Sequence, residues 1–237
     1  MSEKEKPVVA IVNYGMGNLF SVQQACATTG MIGNITSDFK DLEIADAVII
    51  PGVGAFGVAM ERLKSLNMIR PIQDIAASGK PMIGICLGFQ LMMEESSEFG
   101  NHKGLSLFSG QVQMLHKPVE NNLTLKVPHI GWSRIYASDG NGDNIEDTRD
   151  EPAKWKGSLL EFLTEGKFMY FVHSYYVETN DKESILSDTQ YGHIKFCSAM
   201  QKGNLFGCQF HPERSGKKGL QVYRNLASYI KKAQVKD

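Results

Sequence analysis

Gly84-Ile85-Cys86-Leu87-Gly88 is the stretch on which the reading of the fold turns. It continues Pro81-Met82-Ile83, so a short apolar run reaches the cysteine. Such a run has the length and character of a strand buried on both faces. Leu87 to Glu95 then reads as a helix. A cysteine at a strand-to-helix junction, with a glycine two residues to either side, follows the logic of a nucleophile elbow. The turn is tight, so the flanking positions must be small where neighbouring backbone approaches. The helix N-terminus favours a thiolate and supplies backbone N–H donors. A lone cysteine at a strand end is more simply a small buried hydrophobe; the glycine bracket moves the reading toward a nucleophile.

Working outward, Val8 to Val12 and Ala45 to Ile50 are further apolar runs with the β-branching of buried strands. The first enters the glycine turn Tyr14-Gly15-Met16-Gly17-Asn18. Asn18 is placed to cap a helix carrying Leu19, Val22 and Cys26, with Gly30 ending it. The second enters the loop Pro51-Gly52-Val53-Gly54-Ala55-Phe56-Gly57. Helices are expected over about 58–66 and 70–78, and a final amphipathic helix carries Leu220, Tyr223, Ala227 and Ile230. In the second half, segments near 111–115, 123–127, 168–177, 193–200 and 204–210 are strand-like. The expected fold is α/β: a central, mostly parallel sheet flanked by helices, with an antiparallel or mixed extension in the second half. A single domain over residues 1–237 fits this length, with two small domains as the alternative.

Composition narrows the class. The chain is 42% hydrophobic and 22% charged, and 25 basic against 26 acidic residues leave a net charge of −1. That balance gives no support for a nucleic-acid or anionic-membrane partner. The charged start, Met1 to Lys6, lacks the apolar core of a secretory signal, and no apolar run approaches a membrane span. Cys26, Cys86, Cys197 and Cys208 form no Cys-x-x-Cys pair, so reduced thiols in the cytoplasm are expected. No zinc-ligand spacing occurs, and neither metal nor cofactor is expected. The acidic stretch Ser138 to Glu151 does not complete an EF-hand and reads as a solvated surface loop.

A cysteine nucleophile needs a base, and the base needs an orienting group. Phe210-His211-Pro212-Glu213 offers both. A strand-like run ends at His211, and Glu213 follows across a proline that restricts the backbone. On spacing alone, a surface histidine near a structural acid explains the pair equally well. Amide hydrolysis also requires oxyanion donors. The Leu87 amide and the Pro51-Gly52-Val53-Gly54 loop are the two sources, although the loop taken alone is more simply a turn.

Together these segments resemble the class I, or triad, glutamine amidotransferases, and they are most similar to the glutaminase subunits of imidazole glycerol phosphate synthases. The resemblance covers nearly the whole chain. It rests on Asn13-Tyr14-Gly15-Met16-Gly17-Asn18, Pro51 to Phe56, Gly84 to Gln90, Pro128-His129-Ile130-Gly131-Trp132, Tyr170 to Tyr176 and Gln209 to Gly216, all in the family's order. It implies that Cys86 attacks the carboxamide of glutamine, that His211 moves the protons and that Glu213 holds the imidazole. It implies an oxyanion site at Val53, Gly54 and Leu87, and glutamine held by Gly52, Gln90, His173, Ser174 and Tyr175. Asn13, Asn18, His129 and Trp132 match segments that face a synthase (cyclase) subunit in a heterodimer receiving the ammonia. The stretch from Ile135 to Lys167, with Trp155-Lys156-Gly157-Ser158, departs from that subfamily and is similar to paralogues that supply ammonia for a bacterial surface-sugar precursor. A regulatory subunit without catalysis, or a cysteine peptidase or stress protein on a related fold, would not call for all of these segments together.

Overall fold

The computed structural model describes residues 6–138 and 155–233. The first half runs β1 (Val8–Val12), α1 (Leu19–Thr28), β2 (Ile32–Thr36), α2 (Phe39–Ile44), β3 (Ala47–Gly52), α3 (Phe56–Ser65), α4 (Ile69–Ala77), β4 (Met82–Cys86) and α5 (Leu87–Leu91). There follow β5 (Glu95–Ser96), β6 (His102–Lys103), β7 (Gln111–Met114), β8 (Val119–Glu120), β9 (Leu123–Thr124) and β10 (His129–Ala137). The chain ends with β11 (Lys167–His173), β12 (Tyr175–Glu178), β13 (Ile185–Tyr191), β14 (Ile194–Lys202), β15 (Leu205–Cys208) and α6 (Gly216–Ala233).

Five strands make the parallel centre, in the order β2-β1-β3-β4-β15. Beyond β15 the sheet turns antiparallel through β14, β12 and β7, with β13, β10 and β11 as a branch. Side chains of the parallel strands alternate between two cores, as the two-residue period of a strand demands. Val9, Ile11, Ile49, Ile83 and Ile85 face α1 and α6, whereas Ala10, Val12, Val48, Ile50 and Met82 face α3, α4 and α5. Both faces are therefore covered, which explains the unbroken apolar runs of β1, β3 and β4. Asn18 caps α1, its side chain accepting from the Ser21 amide at 3.3 Å.

Several elements differ from the sequence reading. The helix after Cys86 stops at Leu91 rather than Glu95. The carbonyls that would carry it onward are taken by the segment that follows: Leu105 donates to Leu91, Leu107 and Phe108 to Met92, and Ser106 to Met93. The expected strand over 123–127 is only the two-residue β9. The run over 168–177 breaks at Ser174, whose carbonyl accepts from the Leu115 amide. Strands β2, β10 and β13 and helix α2 were not legible. The acidic loop lies outside the described residues beyond Ser138. Trp155, within the departing segment, is a core residue at 3% exposure, and its indole N–H donates to the Leu186 carbonyl at 2.8 Å. No helix among the described residues is long and apolar enough to cross a membrane.

The glycines of the elbow have steric reasons. A Cβ at Gly88 would run into the carbonyl of Ile50 on β3, and one at Gly84 would lie 2.7 Å from the Gly88 oxygen and the Phe89 Cα. Gly203, in the turn between β14 and β15, has a positive φ of +58° but open space around it. Gly88→Ala is therefore expected to cost about 3 kcal/mol or more in urea unfolding, against about 1 kcal/mol for Gly203→Ala. Equal costs would contradict the close approach of β3 and α5.

Candidate functional site

Cys86 sits where β4 becomes α5, with φ 53° and ψ −110°. This is a left-handed region that a residue with a Cβ enters only when its surroundings enforce it. Parallel pairing holds the position, with Gly52 opposite Cys86 in the register of β3 and β4. The thiol is 5% exposed and lies on the wall of a pocket. Cys26, Cys197 and Cys208 are buried thiols elsewhere in the core. Burial pushes the Cys26 thiol up to about 12 and the other two well above the ordinary range.

His211 follows β15, and Pro212–Arg214 form a single 3-10 turn. The histidine backbone is tied on both sides: its amide donates to the Tyr170 carbonyl at 2.8 Å, and its carbonyl accepts from Ser215 Oγ at 2.7 Å. Ser215 Oγ in turn accepts from the Tyr170 amide at 2.9 Å. His211 Nδ1 lies 2.8 Å from Glu213 Oε1. A carboxylate accepts only, so the pair fixes the ring proton on Nδ1 and leaves Nε2 for another partner. That Nε2 is buried and carries no formed hydrogen bond. Loose contacts of this kind are common before substrate binds. Burial disfavours a charged imidazole here, but the neighbouring Cys86 and the Glu213 carboxylate outweigh it and raise the His211 pKa to about 10. The elbow and the His-Pro-Glu turn therefore meet as a coupled acid–base pair.

The pocket wall takes Val53 and Gly54 from the loop after β3, and Leu87 and Gln90 from α5. His173, Ser174 and Tyr175 close the opposite side, at the break between β11 and β12. Gly52 is not on the wall; it is buried behind it, where a Cβ would strike the Tyr14 hydroxyl and press on Leu87. Gln90 donates from Nε2 to the Tyr175 carbonyl at 2.8 Å and to Gln209 Oε1 at 3.0 Å. Gln209 is fully buried and its Nε2 faces Cys86 Sγ at 3.6 Å.

The sequence assigned no role to Glu98, Pro128 and Val172 on the pocket wall, or to Gln209 behind it. Gln209 stood in a recognised run without a role. Glu98 had no signal at all, lying in a loop; it reaches the wall and accepts from the Phe56 amide at 2.6 Å. Burial raises its pKa, against the pull of that bond and of His102.

The loop of residues 13–18 leans directly on the loop after β3. Tyr14 donates to the Pro51 carbonyl at 2.6 Å, and the Met16 methyl lies where a Gly54 Cβ would be. Asn13 is half-buried and Asn18 exposed. Trp132, 53% exposed, packs edge-on against Tyr170 at 5.8 Å, and the Arg214 guanidinium lies over the same Tyr170 ring at 4.9 Å. Ile130 is exposed on the same strand. His129 departs from the expectation of a partner-facing side chain. Strand alternation turns its ring inward, where it is 2% exposed and bonded to His173 and Ser133.

Among known proteins, the family model described as glutamine amidotransferase class-I matches residues 10–227. The chain is 43% identical over 222 residues to "Imidazole glycerol phosphate synthase subunit HisH" of Sulfurimonas denitrificans, covering 94% of this chain and 98% of that one. It is 40% identical to the protein of the same name from Aquifex aeolicus, covering 91% and 94%. Among solved structures, PurLQS from Thermotoga maritima aligns with a TM-score of 0.66 at 16% identity, over 95% of this chain and 99% of that chain. A glutamine amidotransferase of the same organism aligns with a TM-score of 0.57 at 14% identity, over 98% and 86%. At such identities the solved structures speak for the fold.

The pairing of Cys86 with His211 has a titration consequence. In wild type the His211 imidazole should stay protonated through neutral pH. Cys86→Ala removes the largest influence raising it, so the His211 pKa should fall, because burial then opposes only Glu213. An NMR titration of His211 in both proteins reads this directly; an unchanged value in Cys86→Ala would contradict the coupling.

Proposed function

Because the chain belongs to the class-I glutamine amidotransferase family, we propose that it hydrolyses glutamine to glutamate and ammonia through a thioester on Cys86, and passes the ammonia to a synthase subunit. The observation that carries this reading is the strained Cys86 elbow on the pocket wall, coupled to the buried His211–Glu213 pair.

In the reaction, Cys86 Sγ attacks the carboxamide carbon of glutamine. The oxyanion is met by the Leu87 N–H, aided by the positive end of α5, and by an N–H of the Val53–Gly54 peptide. His211 gives its proton to the leaving nitrogen as the C–N bond breaks, releasing ammonia. The same ring then takes a proton from water, which attacks the thioester and frees glutamate. Glu213 keeps the imidazole in the tautomer this requires. Gln90 and the turn at His173, Ser174 and Tyr175 hold the amino-acid end of glutamine, and the Glu98 carboxylate suits its ammonium group. Gly52 serves by its smallness, letting Tyr14 and Leu87 close behind the wall.

The acceptor follows from the relatives' identity to this chain over nearly its whole length. They are named as subunits of imidazole glycerol phosphate synthase. The ammonia accordingly goes to a cyclase subunit that makes imidazole glycerol phosphate and AICAR in histidine biosynthesis, and the surface-sugar acceptor is not favoured. The single glutaminase domain, working in the cytoplasm as one half of a heterodimer, presents Asn13, Asn18 and Trp132 to that partner, with Ile130 and Arg214 beside them.

Partner binding also offers a switch. Gly54 has φ +113°, a conformation open to glycine, so the peptide before it is free to exchange orientations at modest cost. A partner shifts that exchange only by binding the two states differently. The loop of residues 13–18 touches both the partner face and, through Tyr14 and Met16, the switch itself. Ammonia release by the chain alone should be slow. With partner and acceptor it should rise at least about 10²-fold, the value of one oxyanion donor. Cys86→Ala should abolish release while keeping the fold and the complex. Full activity of the isolated chain would show that no switch exists, and activity surviving Cys86→Ala would remove the nucleophile.

A further inference from the structure

A line of hydrogen bonds with a fixed direction joins the pocket to the strand that carries Ile130 and Trp132. Ser133 Oγ lies 2.9 Å from His129 Nε2, and His129 Nδ1 lies 3.0 Å from His173 Nε2. His173 Nδ1 lies 2.9 Å from the carbonyl oxygen of Tyr175. A carbonyl accepts only, so the His173 proton must sit on Nδ1. The neutral ring then offers a lone pair at Nε2, and His129 must donate to it from Nδ1. His129 Nε2 is left to accept the Ser133 hydroxyl. Both rings are buried, at 2% and 6% exposure, which opposes a second proton on either.

The Tyr175 carbonyl takes a second bond from Gln90, whose other amide proton goes to Gln209 beside Cys86. One choice of tautomer thus orders a path from β10 to the side-chain amides at the nucleophile. The His129 ring has no freedom to turn away, because it is stacked between Tyr191 at 4.1 Å and Phe171 at 5.1 Å.

We propose that His129 is a positioning residue for glutamine: donating from Nδ1 to His173 Nε2, it holds the His173 ring in place with its own Nδ1 proton on the Tyr175 carbonyl, and so keeps that carbonyl and Gln90 fixed at the pocket wall. The proposal rests on the glutaminase reading. His129 touches no substrate and acts through His173. Without its donor, His173 Nε2 becomes a buried acceptor with no partner. The other tautomer gives no relief, since it would leave an unpaired N–H at Nε2 and set two acceptors against each other at Tyr175; the ring instead shifts to find a donor for Nε2, which strains its bond to Tyr175 and loosens the turn that Gln90 grips.

Two substitutions separate this relay from simple packing, measured as glutamine kinetics of the complex with its synthase partner. His129→Phe keeps a ring in the aromatic clamp and removes both nitrogens. His129→Asn gives up the ring but puts an amide N–H near the Nδ1 position. The relay predicts a glutamine KM raised about 10-fold in His129→Phe, with kcat within about 3-fold, and most of that loss recovered in His129→Asn. A packing role predicts the opposite order, and that result overturns the proposal. Should a variant fail to fold, imidazole nitrogen NMR of the wild-type protein decides the matter. Both His129 and His173 should be neutral and protonated on Nδ1 at neutral pH. A proton on Nε2 of either, or a charged ring, overturns the relay. Absence of glutamine turnover by the wild-type complex would instead overturn the glutaminase reading, and the tautomer measurement would still judge the relay.

Discussion

The closeness of two backbones governs this site. Helix α5 begins hard against strand β3, so that Gly88 lies on the Ile50 carbonyl with no room for a Cβ. This approach forces the chain to turn within one residue at the end of β4, and that residue is Cys86, with its positive φ. Strain of about 1–3 kcal/mol at such a residue persists only because the surroundings over-determine it. Here those surroundings are two fully buried parallel strands in register and a helix packed across their face. The parallel centre of the sheet, with a packed core on each face, makes a strained cysteine tolerable and aims its thiol at the pocket.

The antiparallel half of the chain supplies what the elbow lacks. Strand β15 delivers His211 from the sheet centre, and β11 anchors it through Tyr170. The break between β11 and β12 makes the far wall of the pocket. Charge follows the same geometry. Buried and alone, His211 would resist a proton, but between Cys86 and Glu213 it holds one. His129 and His173, buried without a carboxylate beside them, are pushed the other way, to about 4 and about 3. Three histidines within one half of the sheet thus serve opposite ends, one as a proton carrier and two as neutral hydrogen-bonding links.

The sequence was most legible where burial is two-sided or chemistry is local. Strands β1, β3 and β4 are continuous apolar runs because both faces are covered, and His211 and Glu213 are readable because two residues separate them. Strand β2 was lost because it lies at the sheet edge and spells Ile-Gly-Asn-Ile-Thr, and β10 because His-Ile-Gly-Trp-Ser-Arg alternates polar and exposed apolar residues. Glu98 reaches the pocket, and Gln209 the back of Cys86 and Gln90, through tertiary contacts that no spacing announces: the Gln90–Gln209 bond spans 119 positions. The inward turn of His129 was hidden for the same reason. Its motif marks the segment, while strand parity decides which side chain faces the core.

The account stands or falls on a covalent glutamyl group at Cys86. The most direct measurement is intact-protein mass spectrometry of the complex, acid-quenched during turnover of glutamine, followed by peptide mapping. The account predicts a single glutamyl adduct on the peptide containing Cys86, absent from Cys86→Ala. Steady turnover with no adduct, or an adduct on Cys26, Cys197 or Cys208, would contradict it.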